Sequence, residues 1–191
     1  MSKNRLEAFS DGVLAIILTI MVLELKVPHG VELKNITPLW GIFLSYILSF
    51  VFVIIYWNNH HHLFQAVKQI DGRVMWANAN LLFWLSLLPF VSGFMGENHF
   101  APLPVFLYAI VTFMAALAYT ILTNSLTKIH DENSIINKAE RESKKGKVSL
   151  ALYFTGVCIA YFFPIVACAI FVIVAIMWFI PSKKIENEVK K

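Results

Sequence analysis

Uncharged stretches long enough to cross a lipid bilayer dominate this sequence. They are separated by short segments that carry almost all of the charged residues. A helix that spans the hydrocarbon layer needs roughly 20 apolar residues, and a soluble core has no use for runs of that length. The chain is 58% hydrophobic and 15% charged, whereas a soluble domain is about half apolar and a quarter charged. The sequence therefore predicts an all-α membrane protein that crosses the bilayer several times.

Six spans are predicted, and together they make residues 1–191 a single transmembrane domain. The fifth and sixth come from one stretch, Val148 to Ile180, which is long enough for two short spans. Pro164 lies near its middle, where a helical hairpin should turn. One strongly tilted helix in place of this pair is the alternative. The predicted spans are residues 8–25, 39–64, 74–95, 103–126, 148–163 and 165–180.

The lysines and arginines predict the orientation of these spans. With six spans, fourteen of the 16 lie on the side that holds both termini, and only Lys26 and Lys34 lie on the other. Cytoplasmic loops carry the excess of positive charge, so both termini are predicted to be cytoplasmic. We expect a multi-pass protein of the cell membrane. We also expect the first span to be retained, because Met1 to Phe9 is too polar for a signal peptide.

Several function classes have no support in the sequence. Neither a phosphate-binding glycine loop nor a nucleophile elbow is present, so we expect no enzyme, no cofactor and no nucleic-acid partner. Cys158 and Cys168 lie inside apolar stretches and are expected to be small buried hydrophobes. The segment from Lys128 to Lys147 mixes both charge signs and is interpreted as a solvated cytoplasmic connector, with a regulatory site as the alternative.

An acidic residue inside the first span is the strongest candidate for a functional position. Asp11 follows Arg5, Glu7 and Ser10 at the cytoplasmic start of the span. A carboxylate at this depth is costly unless it is paired, so it marks a functional or structural site. The second span runs inward and the third begins inside, which places their polar residues at the same depth: His60, His61, His62, Asn78 and Asn80.

These side chains are predicted to form one polar network that joins three helices. The network is interpreted either as structural, because buried carboxylates need hydrogen-bond donors, or as a proton sensor or relay, because histidine titrates near neutral pH. A metal site is not expected, since neighbouring residues on a helix point about 100° apart and three consecutive histidines cannot converge.

Helical periodicity separates two faces of the first span. With Ile16 at 0° and about 100° per residue, Ile20 falls near 40°, Leu23 near −20° and Thr19 near −60°. Asp11 falls near −140°, on the opposite side. On periodicity alone the aliphatic row faces lipid, the protein core or a pore.

The same residues resemble a known family. Arg5-x-x-x-Phe9-Ser10-Asp11 at the start of an apolar span is similar to the motif of the bacterial branch of the transmembrane protein 175 potassium channels. Trp57 before the histidines, Asn80-Leu-Leu-Phe and Leu88-Pro89-Phe90 add to the resemblance. It covers the whole chain in the number and order of spans, although the fourth to sixth spans carry no motif that could be compared.

The resemblance implies a six-helix subunit and, for a single copy, a homotetramer, whereas animal members fuse two copies and dimerise. It implies that the first helices line the pore and that rings of Ile16, Ile20 and Leu23, with a Thr19 hydroxyl layer, replace a carbonyl filter. Arg5, Phe9, Ser10, Asp11 and Trp57 would belong to the structural network. The expected partners are further copies of this chain, the lipid bilayer and permeant potassium ions.

Three functions compete at this point. The resemblance favours a potassium-preferring leak channel. A proton-coupled secondary transporter is the main alternative, but transporters usually place an ionisable residue near mid-membrane and often have paired repeats. Asp11 and the histidines lie near one membrane face and Glu24 near the other. An intramembrane hydrolase built on the histidines would have only Asp11 as a partner.

Overall fold

The computed structural model describes residues 2–132, 134, 136–138 and 144–179. These residues form helices and the connections between them, and the described part of the chain contains no strand. Two short 3-10 turns, Leu33–Asn35 and Thr37–Leu39, lead into the second helix. The helices are α1 Lys3–Leu23, α2 Trp40–Gln65, α3 Gly72–Ser86, α4 Leu88–Glu97, α5 Pro102–Lys128, α6 Lys145–Ala160 and α7 Pro164–Phe179.

Among the described residues, four helical segments are long and apolar enough to cross a membrane. They are α1, the segment 33–65 that contains α2, the segment 72–97 that contains α3 and α4, and α5. α7 is apolar but shorter. The all-α membrane fold predicted from the sequence is therefore confirmed at this level.

The segment predicted as one span over residues 74–95 consists of two helices. α3 ends at Ser86, Leu87 lies between the two, and α4 begins at Leu88. Pro89 occupies the first turn of α4. Proline has no backbone N–H and its ring collides with the preceding helical turn, so α3 cannot continue through it without a break. At the start of a new helix, a proline loses no intrahelical hydrogen bond, and its ring has no preceding helical turn to collide with.

The last two helices are separated close to the predicted turn. α6 ends at Ala160 and α7 begins at Pro164, which is again a helix start. Ile180, the last residue of the predicted sixth span, lies outside the described residues. α1 begins at Lys3 and not at Ala8, because the polar start of this segment also adopts helical structure.

α5 lies at the centre of the described structure. It packs against α3 and α4 on one side and against α6 and α7 on the other. Tyr108, Leu122 and Leu126 are among its fully buried side chains. α1 packs against α2, α3 and α4, at the edge of the bundle.

α2 and α4 approach closely through small residues. A Cβ atom on Gly96 would come within 2.6 Å of the Ile42 Cα atom, so only glycine fits there. The Ser92 hydroxyl donates to the Ser45 carbonyl oxygen at 3.0 Å, and the Ser49 hydroxyl donates to the Ser92 oxygen at 2.9 Å. Small residues and interhelical hydrogen bonds are the usual means by which helices pack in a membrane, where lipid is as apolar as leucine.

Both cysteines are free thiols, and their burial differs from the prediction. Cys168 is half-buried, whereas Cys158 is exposed on the outer surface of α6. Cys158 is exposed because no other described part of the chain covers that side of α6.

The loop after α1 is linked to the end of α4 by an ion pair between Lys26 and Glu97. The hydrogen bond and the charge of Glu97 raise the pKa of Lys26 above its usual value. A raised lysine pKa keeps the ammonium group charged throughout the neutral range, and the pair is lost only as the pH rises through that pKa. Both partners are exposed, so the pair adds little stability.

Candidate ion pathway on the first helix

α1 has one buried face and one open face. Leu14, Ile17 and Met21 are each only 2% exposed and pack against the neighbouring helices. The predicted row of Ile16, Ile20 and Leu23 lies on the other face, with exposed fractions of 60%, 42% and 74%. The described part of a single chain therefore leaves this row uncovered.

Thr19 is also exposed on the open face. Its hydroxyl group donates to the Ala15 carbonyl oxygen at 2.9 Å, one turn earlier on the same helix. This bond satisfies the hydroxyl donor within the helix and leaves oxygen lone pairs available to a cation or to water.

Asp11 lies off the open face and contacts α2. The Trp57 Nε1 group donates to an Asp11 carboxylate oxygen at 3.1 Å. The histidines and asparagines were expected to be the partners of this carboxylate, and the structure gives it the indole instead. The reason is that α1 and α2 run in opposite directions. Asp11 therefore lies opposite Trp57, and Glu7, which is one turn before Asp11 on α1, lies opposite a histidine one turn after Trp57 on α2.

That histidine is His61. Its Nδ1 atom lies 3.1 Å from a Glu7 carboxylate oxygen. Its Nε2 atom lies 2.8 Å from the Gln65 side-chain nitrogen, so His61 accepts there and donates to Glu7. The His61 and Trp57 rings stack at 6.2 Å. Two successive turns of α1 are thus paired with two successive turns of α2.

A second chain of hydrogen bonds joins α1, α2 and α3 in the interior. The Asn78 amide donates to the Ser10 oxygen at 2.9 Å, and its carbonyl oxygen lies 2.7 Å from His60 Nε2. The Ser10 hydroxyl donates to the Leu6 carbonyl oxygen at 2.9 Å. All three polar side chains are at most 1% exposed.

The direction of these bonds bears on the proton-relay hypothesis. Because the Asn78 oxygen can only accept, His60 must donate from Nε2, and in the neutral ring Nδ1 is then an acceptor. His60 Nδ1 is sealed from the surface and has no hydrogen-bond partner among the described residues. A proton bound at Nδ1 could not be passed to another group of the described chain, and this favours the structural interpretation of the network.

Four of the predicted network residues lie outside these hydrogen bonds. Arg5 and Phe9 are exposed and lie on the open face of α1, because both fall within about 20° of Ile16 on the helix. The ring centres of His62 and His61 lie 5.9 Å apart, and His62 makes no hydrogen bond within the described ranges. Asn80 is half-buried and, as far as the structure describes the chain, is not hydrogen-bonded to the network.

Lys3 is a structural residue that the sequence analysis missed. Its ammonium group donates to the carbonyl oxygens of Phe64 at 2.9 Å and Val67 at 3.1 Å. The last carbonyls of a helix lack intrahelical donors, and the negative end of its dipole favours a cation. Lys3 therefore ties the start of α1 to the end of α2.

Several known proteins that are similar to this chain are described as potassium channels. Residues 5–89 match the family model described as endosomal/lysosomal potassium channel TMEM175. A potassium channel from Chryseobacterium sp. (strain P1-3) is 50% identical over 191 residues, covering 100% of both chains. A potassium channel from Chamaesiphon minutus is 37% identical over 100 residues, 49% of each chain. The crystal structure of a lysosomal potassium-selective channel TMEM175 homolog, also from Chamaesiphon minutus, matches with a TM-score of 0.78 at 25% identity and covers 92% of this chain and 95% of its own.

The helical fold, the open face of α1 and these similarities define a membrane channel protein and not an enzyme. The chain belongs to the TMEM175 family, which confirms the resemblance found in the sequence motifs.

Proposed function

We propose that four copies of this chain form a potassium-preferring leak channel whose ion path is lined by α1. The observation that carries the proposal is the open face of α1. A row of aliphatic side chains and one hydroxyl is exposed on it, whereas Leu14, Ile17 and Met21 on the opposite face are buried and Asp11 is hydrogen-bonded to Trp57. The names of the similar channels support potassium as the preferred ion.

A single copy of α1 cannot enclose an aqueous path. Four copies related by rotation would bring four Ile16, four Ile20 and four Leu23 side chains into successive rings. A narrow apolar ring forces an ion to shed water without replacing it and resists conduction by dewetting. Potassium loses its hydration shell at lower cost than sodium, so such a ring prefers potassium, although less strongly than a ring of carbonyl oxygens.

The proposed subunit crosses the cell membrane six times. α3 and α4 together make the third crossing, and α6 and α7 make the fifth and sixth. α6 and α7 have 16 residues each and are shorter than an ordinary span. Short spans are accommodated when the bilayer thins around them or when flanking residues extend to the membrane surface. The distribution of lysine and arginine favours a cytoplasmic position for both termini.

Reconstitution tests the proposal directly. Purified protein in liposomes under a potassium gradient should conduct potassium passively, with a smaller flux for an equal sodium gradient. Potassium flux that requires an opposing proton gradient would instead support a proton-coupled transporter. Native mass measurement of the same sample should give about four chains, and a conducting monomer would contradict the assembly.

A further inference from the structure

The outer face of α3 carries a row of side chains that the described part of the chain leaves partly or fully exposed. Four residues follow one another at steps of three or four and therefore share this face: Arg73, Trp76, Asn80 and Phe83. Trp76 is 79% exposed and Phe83 is 56% exposed. Asn78, whose amide belongs to the buried network, falls about 200° from Trp76 on the helix. The row thus faces away from the interior of the subunit.

Two cations lie at the beginning of this row. Lys68 belongs to the connection between α2 and α3, and Arg73 follows the first residue of α3. Both side chains are exposed, and neither forms an ion pair or a hydrogen bond within the described ranges. Asp71, the acidic residue between them, caps α3, since its carboxylate accepts from the Val74 N–H at 2.9 Å. The two positive charges are therefore available to an anion at the membrane surface.

Two hydrogen-bond donors lie deeper on the same face. At 1.5 Å per residue, Trp76 lies about 5 Å and Asn80 about 10 Å further along the helix axis than Arg73. Within the described residues, neither the indole nor the side-chain amide makes a hydrogen bond. Tryptophan is enriched where lipid headgroups meet the hydrocarbon layer, whereas an amide without a partner is costly in hydrocarbon. An acceptor from outside the subunit would satisfy both donors.

A glycerophospholipid presents its groups in the matching order. Its phosphate lies at the membrane surface, its ester carbonyl groups lie deeper, and its acyl chains fill the hydrocarbon layer. Basic side chains beside a membrane-spanning helix attract lipids with a net negative charge. The face of α3 offers cations first, then donors, and then the aromatic ring of Phe83, which suits an acyl chain.

We propose that this face of α3 binds one anionic glycerophospholipid of the inner leaflet. The phosphate lies at Lys68 and Arg73, and an ester carbonyl oxygen accepts from Trp76 and Asn80. An acyl chain packs along Phe83. The choice of leaflet rests on the proposed function, because the orientation of the subunit in the membrane is part of it.

Native mass spectrometry of the full-length protein tests the selection for charge. The protein is mixed with equal amounts of phosphatidylglycerol and phosphatidylcholine that carry the same acyl chains, and the lipids that stay bound are identified. The wild-type protein should retain phosphatidylglycerol in preference. Lys68→Gln and Arg73→Gln should each weaken that preference about fivefold. Equal retention of both lipids by the wild-type protein would overturn the proposal.

Lys147→Gln is the matched control for the two charge variants. It removes the same charge from an exposed position on α6, which packs against the other side of α5. This variant should keep the wild-type preference. A loss as large as that of Arg73→Gln would show that the lipid responds only to total charge, and it would contradict a site on α3.

A diether phosphatidylglycerol tests the contact with the ester group, because it lacks the carbonyl oxygens. The wild-type protein should retain the diester lipid better than the diether lipid. The variant Trp76→Phe/Asn80→Leu should retain the two lipids equally. If the wild-type protein already binds both lipids alike, the indole and the amide do not hold the lipid, and the assignment is wrong.

The same spectra also give the number of chains, which separates this inference from the proposed function. A monomer that selects phosphatidylglycerol through Arg73 would contradict the tetramer and support the lipid site. A tetramer that retains no phospholipid would indicate that a neighbouring copy covers this face of α3, and it would overturn the lipid site.

Discussion

The amide nitrogen of Asn78 lies 2.9 Å from the hydroxyl oxygen of Ser10, and this bond connects the third helix to the buried face of the first. Through the other end of the same amide, the bond extends to His60 on the second helix. One asparagine therefore fixes the relative position of three helices.

Replacing Asn78 should lower the stability of the subunit. Asn78→Leu leaves Ser10 and His60 buried without their partner, which costs about 1–3 kcal/mol for each unsatisfied group. Asn80→Leu is the matched control, because Asn80 lies two residues further along α3 and outside the network. Thermal unfolding in detergent should show a clear decrease for the first variant and little change for the second. Equal decreases would show that the network has no special role.

Lys3 is half-buried and should matter more for stability than its place before the first predicted span suggests. Lys3→Met keeps the aliphatic part of the side chain and removes the donor to the Phe64 and Val67 carbonyl groups. Two charge-assisted hydrogen bonds near a helix C-terminus are worth about 1–2 kcal/mol. Thermal unfolding should therefore occur at lower temperature in Lys3→Met than in the conservative variant Lys3→Arg. The prediction is wrong if the two variants unfold alike.

Gly96 should not tolerate even one methyl group. In Gly96→Ala the new Cβ atom would lie 2.6 Å from the Ile42 Cα atom, which forces α2 and α4 apart. Overpacking of this kind costs about 1–3 kcal/mol. On the same helix, a Cβ atom at Gly93 would make only an ordinary contact of 3.7 Å with Glu24. Gly93→Ala should consequently unfold close to the wild-type temperature, and an equal loss in both variants would contradict the close approach.

The aliphatic rings should control ion preference. Ile16→Asn would place four amide groups in the proposed constriction, where they allow water to bridge it and replace part of the lost hydration shell. Sodium gains more than potassium because its dehydration is costlier, so conductance should rise and potassium preference should fall. The reversal potential in mixed potassium and sodium is the measurement.

Leu18→Asn is the control for that change. Leu18 lies about 200° from Ile16 on the helix and is half-buried against neighbouring helices. It should affect folding more than permeation. If Ile16→Asn assembles normally and its reversal potential is unchanged, the selective layer lies elsewhere in the chain.

Helical periodicity was sufficient to separate the two faces of α1. A step of about 100° per residue places Ile16, Ile20 and Leu23 together and Asp11 opposite them, and the structure has the aliphatic row exposed and Asp11 paired with Trp57. The same argument could have chosen Asn78 over Asn80, because residues 74, 78, 81 and 85 recur on one face of α3 and are all buried.

The sequence alone does not determine which side chains of neighbouring helices pair with each other. Matching Asp11 with Trp57 and Glu7 with His61 requires the offset between α1 and α2, which depends on a connection that contains two short 3-10 turns. Lys3 was missed for the same reason. Its partners are backbone carbonyl groups, which every residue has, so only their position in space identifies them.

Within the part of the chain that the structure describes, the hydrogen bonds between α1 and its neighbours all involve residues 3 to 11, in the first half of α1. Beyond Leu14, the helix contacts the rest of the described chain through buried apolar side chains such as Ile17 and Met21. Directional bonds resist sliding and rotation, whereas aliphatic contacts slide over one another at little cost. The first half of α1 is therefore a fixed pivot, and a small tilt about Ser10 moves Leu23 more than Ile16. In the proposed tetramer, the ring of Leu23 side chains would therefore have the softest diameter, and voltage, lipid thickness or a bound molecule would alter that ring first.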